Sequence, residues 1–481
     1  MGIPYATVDK NNPFGAAKPH PKLEGIFEAY DDSARCPQVE EFNNTITGSL
    51  DCLHLNIYVP DTATPTNKLP VLVWIYGGGF HYGFGGRYLY GPNYLVRHDI
   101  IFVTLNYRVG PYGFMCLDTP AVPGNAGLKD QRIALEWIKD NIEAFAGDSD
   151  KITIYGMSVG GITVDSHYIY GDHKLFDKLI MHSGTTMVPW AVRVDELAAL
   201  KLAENLGFTT NDNDEAIRFL SGVDPARVIA SNQALGIRYG LCVEKQFQGI
   251  ERYVHDHPIN VKGLDASNKS VLLAYNRDEW QIIYAMAAPE LFPTFSNIFM
   301  NDLRNYFDLD SEQIIKLEAI VRKFYMGDED FTENVRWNIG EYASDFQFIY
   351  STVRSIKKYV KEGSKNVYHL VFSYDGDRNF VKEKNNITHL EMVVHADEVG
   401  YLFDVSYMDT PSERDQLAID RITTLWANFV KYGNPTPQPT ALLPVTWKPA
   451  TVDTIPYLEL DSEVHTGRRH YHKRMAFWDL F

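Results

Sequence analysis

The chain has 481 residues, 45% hydrophobic and 22% charged, with a net charge of −17 at neutral pH. That is the composition of a folded globular protein rather than a disordered one, and its charge repels phosphate backbones and anionic membranes. No apolar run approaches the roughly 18 residues that a membrane helix needs, so no transmembrane segment is expected.

Residues 1–50 are rich in Pro, Gly, Asn and Asp and read as extended loops. Within and beside them, Cys36 and Cys52 stand in polar surroundings and could pair in an oxidising compartment. Four free thiols, counting Cys116 and Cys242, are the equal alternative on number alone. There is no CxxC pair and no HExxH, so neither a structural zinc nor zincin chemistry is expected. Asn-x-Ser/Thr sequons occur at Asn43, Asn268 and Asn386, a number that chance supplies and that settles nothing about compartment.

Strands are predicted at 53–59 ("LHLNIYV"), 69–76 ("LPVLVWIY") and 100–109 ("IIFVTLNYRV"). The last two are continuous apolar runs, as expected of strands covered on both faces. Leu128, Ala134, Leu135, Ile138 and Ile142 recur at helical spacing, which predicts a helix over 128–142. "KITIYG" from Lys151 follows as another buried strand. This alternation predicts an α/β fold with a mostly parallel central sheet flanked by helices.

From about 190 to 370 helical segments dominate, among them 195–207 closed by Gly207, with core strands predicted at 270–280 and 367–375. Near the end, Ser412 and Asp415 form a capping-box variant ahead of a stripe of Ile419, Ile422, Trp426 and Val430, and Gly433 and Pro435 close the helix. No repeat or flexible linker interrupts the chain, so a single elaborated domain over 1–481 is expected. The basic cluster "RRHYHKR" at 468–474 reads as solvated surface, not as a nucleic-acid site.

Chemistry is concentrated at "GMSVG", 156–160, a Gly-x-Ser-x-Gly pattern with a strand before it and a helix-compatible run after it. That context favours Ser158 as a nucleophile held above a sheet edge by a strained turn, against an ordinary tight turn whose serine faces water. A serine hydroxyl needs a base oriented by a carboxylate, and N–H donors for the oxyanion. "YGGGF" at 76–80 follows a buried strand and offers such donors; no Gly-Lys-Ser/Thr follows to make it a phosphate cradle. Asp278 and Glu279 come just after one core strand, and His395 after another apolar run; spacing alone does not choose among these carboxylates or among the fifteen histidines.

These blocks resemble the type-B carboxylesterases of the cholinesterase-like α/β-hydrolase superfamily, most closely the insect carboxylesterases of the α-esterase kind. The resemblance runs through "GIPYA" (2–6), "DCLHLNIYVP" (51–60), "YGGGF", "NYRVGPYGF" (106–114), "GNAGLKDQRIALEWIKDNI" (124–142) and "GMSVGG". It continues in "RDE" (277–279), "HADEVGYLF" (395–403), "WANFVKYGNPTP" (426–437) and "RMAFWDLF" (474–481). It implies the α/β-hydrolase fold and a serine esterase acting on small lipophilic esters with no metal or organic cofactor. It further implies Ser158 as nucleophile, Glu279 rather than Asp278 as triad acid, His395 as base, and the N–H groups of Gly78, Gly79 and Val159 as oxyanion hole. Cys36 and Cys52 match positions often linked by a disulfide in secreted members.

Three positions depart from the family pattern: Met157 where Glu, His or Gln is commoner, Val159 where Ala is usual, and Trp280 where Gly is usual. They bear on turnover and substrate size more than on reaction type. They also keep open a low-turnover scavenger of esters or organophosphates. A non-catalytic binding or adhesion relative would typically lose a triad residue and gain a membrane segment, and this chain does neither. Relatives carry roughly one small β-hairpin before "GIPYA", so that hairpin is expected to be missing here. The location is cytoplasmic if Met1 is the true start and secreted if a leader precedes it.

Overall fold

In the computed structural model, which describes residues 1–264 and 269–481, the long apolar runs lie side by side in one sheet. The sequon at Asn268 falls outside the described residues. In chain order the strands are β1 (Ile3–Pro4), β2 (His54–Tyr58), β3 (Leu69–Ile75), β4 (Ile101–Leu105) and β5 (Gly147–Met157), then β6 (Lys178–His182), β7 (Ser270–Asn276), β8 (Asn366–Phe372), β9 (Pro456–Leu460) and β10 (Val464–Arg468). Across the sheet the order is β1-β2-β4-β3-β5-β6-β7-β8-β9-β10. Neighbours run parallel from β4 to β9, and antiparallel pairs close both edges. Every residue of β4, β6 and β7 is buried, the mark of strands sandwiched between layers. This is the α/β-hydrolase arrangement.

Helix α1 (Ala126–Asn141) buries the predicted stripe, Leu128, Ala134, Leu135 and Ile138. Helix α2 (Val159–Tyr170) starts directly after Ser158 and is buried along almost its whole length. Helix α3 (Glu413–Tyr432) carries the predicted caps: the Ser412 side chain accepts from the Asp415 N–H, and Gly433 closes the helix at φ 65°. Its Trp426 is fully buried and meets the Tyr155 ring edge-on at 5.8 Å.

The predicted strand over 100–109 stops at Leu105. Beyond it, Arg108 turns into the core and is fully buried, donating to Asp130 through Nε (2.7 Å) and Nη2 (2.6 Å). Its Nη1 donates to the carbonyls of Pro13 (2.9 Å) and Gly15 (2.7 Å), which fastens the N-terminal segment to α1. A buried guanidinium is tolerated only when its donors are satisfied in this way. Strands β6, β9 and β10 lie outside the sequence expectations; "KLIMH" is too short a run to be told from a helix turn by period. The basic cluster at 468–474 is only partly solvated surface. Arg474 pairs inward with Asp345 (Nε to Oδ2, 2.7 Å) and with Glu341, and His470 meets the Tyr275 hydroxyl at 2.8 Å.

All four cysteines are paired, Cys36 with Cys52 and Cys116 with Cys242, so the four-thiol alternative does not hold. The second pairing has no signal in the sequence. It bridges 126 residues and docks the 242–254 segment on the start of α1, where Asn125 and Lys129 hydrogen-bond Glu244 at 2.8 Å each. Because this loop is long, opening it restores much chain entropy to the unfolded state. A Cys116→Ser/Cys242→Ser variant is therefore expected to lose about 3–5 kcal/mol of stability in urea denaturation.

Candidate active site

Strand β5 ends at Met157 and α2 begins at Val159, which leaves one residue, Ser158, to reverse the chain at φ 57°, ψ −125°. So sharp a turn brings backbones into contact. A Cβ on Gly160 would lie 2.0 Å from the Ile75 carbonyl oxygen, so only glycine fits there. Ser158 N–H donates to the His182 carbonyl (2.8 Å), and its own carbonyl accepts from Ile162 N–H (3.0 Å). The hydroxyl-bearing side chain is left to line a cavity of about 290 Å³.

The glycine loop after β3 forms another part of the cavity wall, with Gly78 at φ 128° and Gly79 at φ 61°. The Gly78 carbonyl is occupied by the N–H groups of His81 (2.9 Å) and Tyr82 (3.2 Å). Among the described residues, no protein acceptor takes the N–H of Gly78, Gly79 or Val159. Val159 is the first residue of α2, so its N–H belongs to the unsatisfied positive end of a helix. On the same loop, burial pushes His81 down to about 4, with Arg238 and Arg193 acting in the same direction. It is a neutral ring at neutral pH.

His395 lines the same cavity. Its Nδ1 lies 2.5 Å from Oε2 of the fully buried Glu279, and its backbone N–H donates to the Glu279 carbonyl at 2.8 Å. The other carboxylate oxygen accepts from the Ser183 hydroxyl and from Asn276 N–H (2.8 Å). A carboxylate oxygen accepts, so Nδ1 is the ring nitrogen that donates in this contact, and Nε2 is the one left for other partners. Asp278 faces elsewhere, accepting from Arg277 Nε (2.8 Å) and Val393 N–H (2.9 Å). The geometry thus separates the two adjacent carboxylates that spacing left equivalent.

Phe348 stands 4.5 Å from the His395 ring centroid, and Trp280 meets that ring edge-on at 5.5 Å. Trp190 extends this aromatic wall, and Met157 lies beside Ser158. Behind the Glu279 carboxylate lies a buried polar layer that sequence reasoning missed. Asn276 Nδ2 donates to Glu398 Oε2 (2.7 Å) and to the Val394 carbonyl (2.7 Å), while its Oδ1 faces His182 Nε2 at 3.0 Å. Its signal in the sequence was a polar residue closing each of two apolar strands, His182 and Asn276.

Asp397, two residues past His395, is fully buried and is pushed up to about 7 by that burial. It gathers the N–H groups of Val394 (2.8 Å), Val381 (2.9 Å) and Lys382 (3.2 Å) and so shapes the turn that carries His395. Among the described residues no group of His, Cys, Asp or Glu is arranged to hold a metal ion, and no helix is long and apolar enough to cross a membrane.

A sequence profile of the carboxylesterase family matches residues 1–478. Esterase FE4 of Myzus persicae is 30% identical over 94% of this chain and 83% of its own length. Juvenile hormone esterase of Heliothis virescens is 28% identical over 91% of this chain and 81% of its own. Among solved structures, juvenile hormone esterase from Manduca sexta with OTFP covalently attached superposes with a TM-score of 0.84 at 26% identity, covering 100% of this chain and 94% of that one.

The Asp397 carboxyl yields a stability test. Its folded value of about 7 lies above its unfolded value, so the folded state holds the proton more tightly. The stabilisation is complete below about pH 4 and is lost as pH rises through about 7. Relative to Asp397→Asn, which does not titrate, the parent is expected to lose about 2 kcal/mol between pH 5 and pH 8 in chemical denaturation.

Proposed function

The chain belongs to the carboxylesterase family and is a carboxylic ester hydrolase, and we propose that it cleaves lipophilic esters through an acyl-enzyme formed on Ser158. The observation that carries this reading is a single cavity lined by the Ser158 side chain, the Gly78–Gly79 loop and an imidazole whose Nδ1 is held at 2.5 Å by a buried carboxylate. Ser158 Oγ attacks the acyl carbonyl while His395 Nε2 takes its proton. Glu279 fixes the tautomer and stabilises the imidazolium that forms. The free N–H groups of Gly78, Gly79 and Val159 receive the oxyanion, each contributing about 3 kcal/mol in the transition state. The imidazolium then protonates the leaving alcohol, and water repeats the attack to release the acid.

The walls favour an apolar substrate, since Trp190, Trp280 and Phe348 surround the acyl carbon's approach. Met157 and the buried Val159 add apolar bulk next to the nucleophile. The covalent adduct named for the Manduca sexta relative is consistent with a serine nucleophile here.

With a chromogenic acetate or butyrate ester, the parent is expected to turn over steadily, and a fluorophosphonate is expected to label Ser158. Ser158→Ala should lower kcat by ~1,000-fold or more, and Glu279→Gln by ~100-fold or more. A stoichiometric burst with negligible steady rate would instead mark a scavenger, and an unlabelled, inactive parent would defeat the reading. Trp280→Gly removes one ring from the wall, so the ratio of kcat/KM for decanoate over acetate esters is expected to rise about tenfold.

A further inference from the structure

Two of the three sequons lie at the cavity rim. The rim is bridged by Lys384 Nζ and Glu41 Oε1, 3.7 Å apart; both residues line the cavity, and both are partly open to water. Lys384 Nζ also sits over the Phe42 ring at 4.4 Å. Asn43 is two residues beyond Glu41 and Asn386 two residues beyond Lys384, so each lies within roughly 7 Å of a lining residue along the backbone.

Both asparagines are exposed. Asn43 crowns a tight turn in which Glu40 Oε2 accepts from the N–H groups of Phe42 (2.9 Å) and Asn43 (3.0 Å). Its Oδ1 accepts from the Thr45 hydroxyl (2.6 Å) and Thr45 N–H (3.0 Å), which leaves Nδ2 pointing to solvent with no protein acceptor among the described residues. Next to it, past the Lys384–Glu41 contact, Ile387 is buried and pins the second sequon, while Asn386, at φ 57°, and Thr388 face water. The Cys36–Cys52 disulfide brackets the Asn43 turn, and with all four cysteines paired the chain suits an oxidising compartment.

We propose that Asn43 and Asn386 carry N-linked glycans that stand beside one another at the cavity rim and restrict bulky esters. The modification joins each Nδ2 to C1 of the first sugar of a lipid-diphosphate-linked oligosaccharide. The sugar–phosphate bond breaks, the lipid diphosphate leaves and the amide proton passes to solvent, with no change of oxidation state. Nδ2 is the free atom at Asn43, so a sugar there leaves the hydrogen bonds of Oδ1 to Thr45 in place. The shielding half of the proposal rests on the esterase reading; occupancy does not.

The full chain secreted from insect cells would be treated with a peptide-N-glycosidase in heavy-oxygen water and mapped by peptide mass. Conversion of Asn43 and Asn386 to heavy-oxygen aspartate is expected; unmodified asparagine at both positions overturns the proposal. Removing the glycans should raise kcat/KM for a bulky ester several-fold and leave that for a small acetate ester unchanged. Asn43→Gln and Asn386→Gln should each give part of that gain, while Thr388→Ser, which keeps its sequon, should give none. An unchanged ratio of bulky to small turnover overturns the shielding. Glycans present on a protein that hydrolyses no ester would defeat the esterase reading and leave occupancy standing.

Discussion

The conformation of Ser158 is the constraint on which the rest of the site depends. A non-glycine residue at φ 57°, ψ −125° is expected to cost about 1–3 kcal/mol, and it persists only where its surroundings over-determine it. Three parallel strands do so. Ile75 pairs with Gly156 and Met157 with His182, so β3, β5 and β6 end level. The turn is therefore clamped between the Ile75 carbonyl on one side and Gly184 on the other, where any Cβ would lie 2.0 Å from the Ser158 carbonyl oxygen. The level ends also gather the chemistry: β3 delivers the glycine loop, β6 delivers Ser183, and β7, in register with β6 through His182 and Ala274, delivers Asn276 and Glu279.

The second requirement is a buried carboxyl group whose oxygens are both hydrogen-bonded. Glu279 is fully buried, where a carboxylate without hydrogen-bond donors would be costly. Donors from Ser183, Asn276 and His395 converge on its two oxygens, so desolvation is offset within the site. Asn276 links this carboxylate to a second one, Glu398, through opposite ends of one residue, its backbone N–H and its side-chain amide. A buried network of this kind is stable only as a whole, because losing one member leaves the others unpaired.

What was legible in the sequence follows from the range of each interaction. The longer buried strands, the stripe on α1 and the caps of α3 are set within a few residues, and local pattern recovers them; the short buried β6 has too few residues to show a period. Local pattern also recovers the strand–turn–helix context of Ser158. The meeting of Glu279 and His395 spans 116 residues and depends on the 277–279 and 393–395 segments exchanging backbone hydrogen bonds, as in Asp278 N–H to the Val393 carbonyl at 2.8 Å. No local pattern encodes that pairing, which is why Asp278 and Glu279 looked alike until a family resemblance separated them. The early end of β4 has the same origin: "NYRV" has the period of a strand, but Arg108 answers to Asp130 on another element. The Cys116–Cys242 bridge was invisible for the same reason.

The aromatic wall beside His395 shows how distant parts of the chain enter the site without touching its chemistry. Phe348 sits in a π-helical turn, Asp345–Ile349, inserted between two α-helices. Such turns widen the helix and aim a side chain off its regular face. Asp345, at the start of that turn, is fully buried and is pushed up to about 6 by that burial, with Arg474 opposing the shift. Arg474 donates to it through Nε and Nη2 at 2.7 and 2.5 Å from a position 129 residues later in the chain. Part of the C-terminal basic cluster, which composition alone assigns to solvent, therefore anchors the turn that presents Phe348 to the imidazole. Ser158 and Glu279 follow strand ends, His395 sits in a turn, and Phe348 comes from a helical segment, so the cavity draws its lining from elements far apart in the chain.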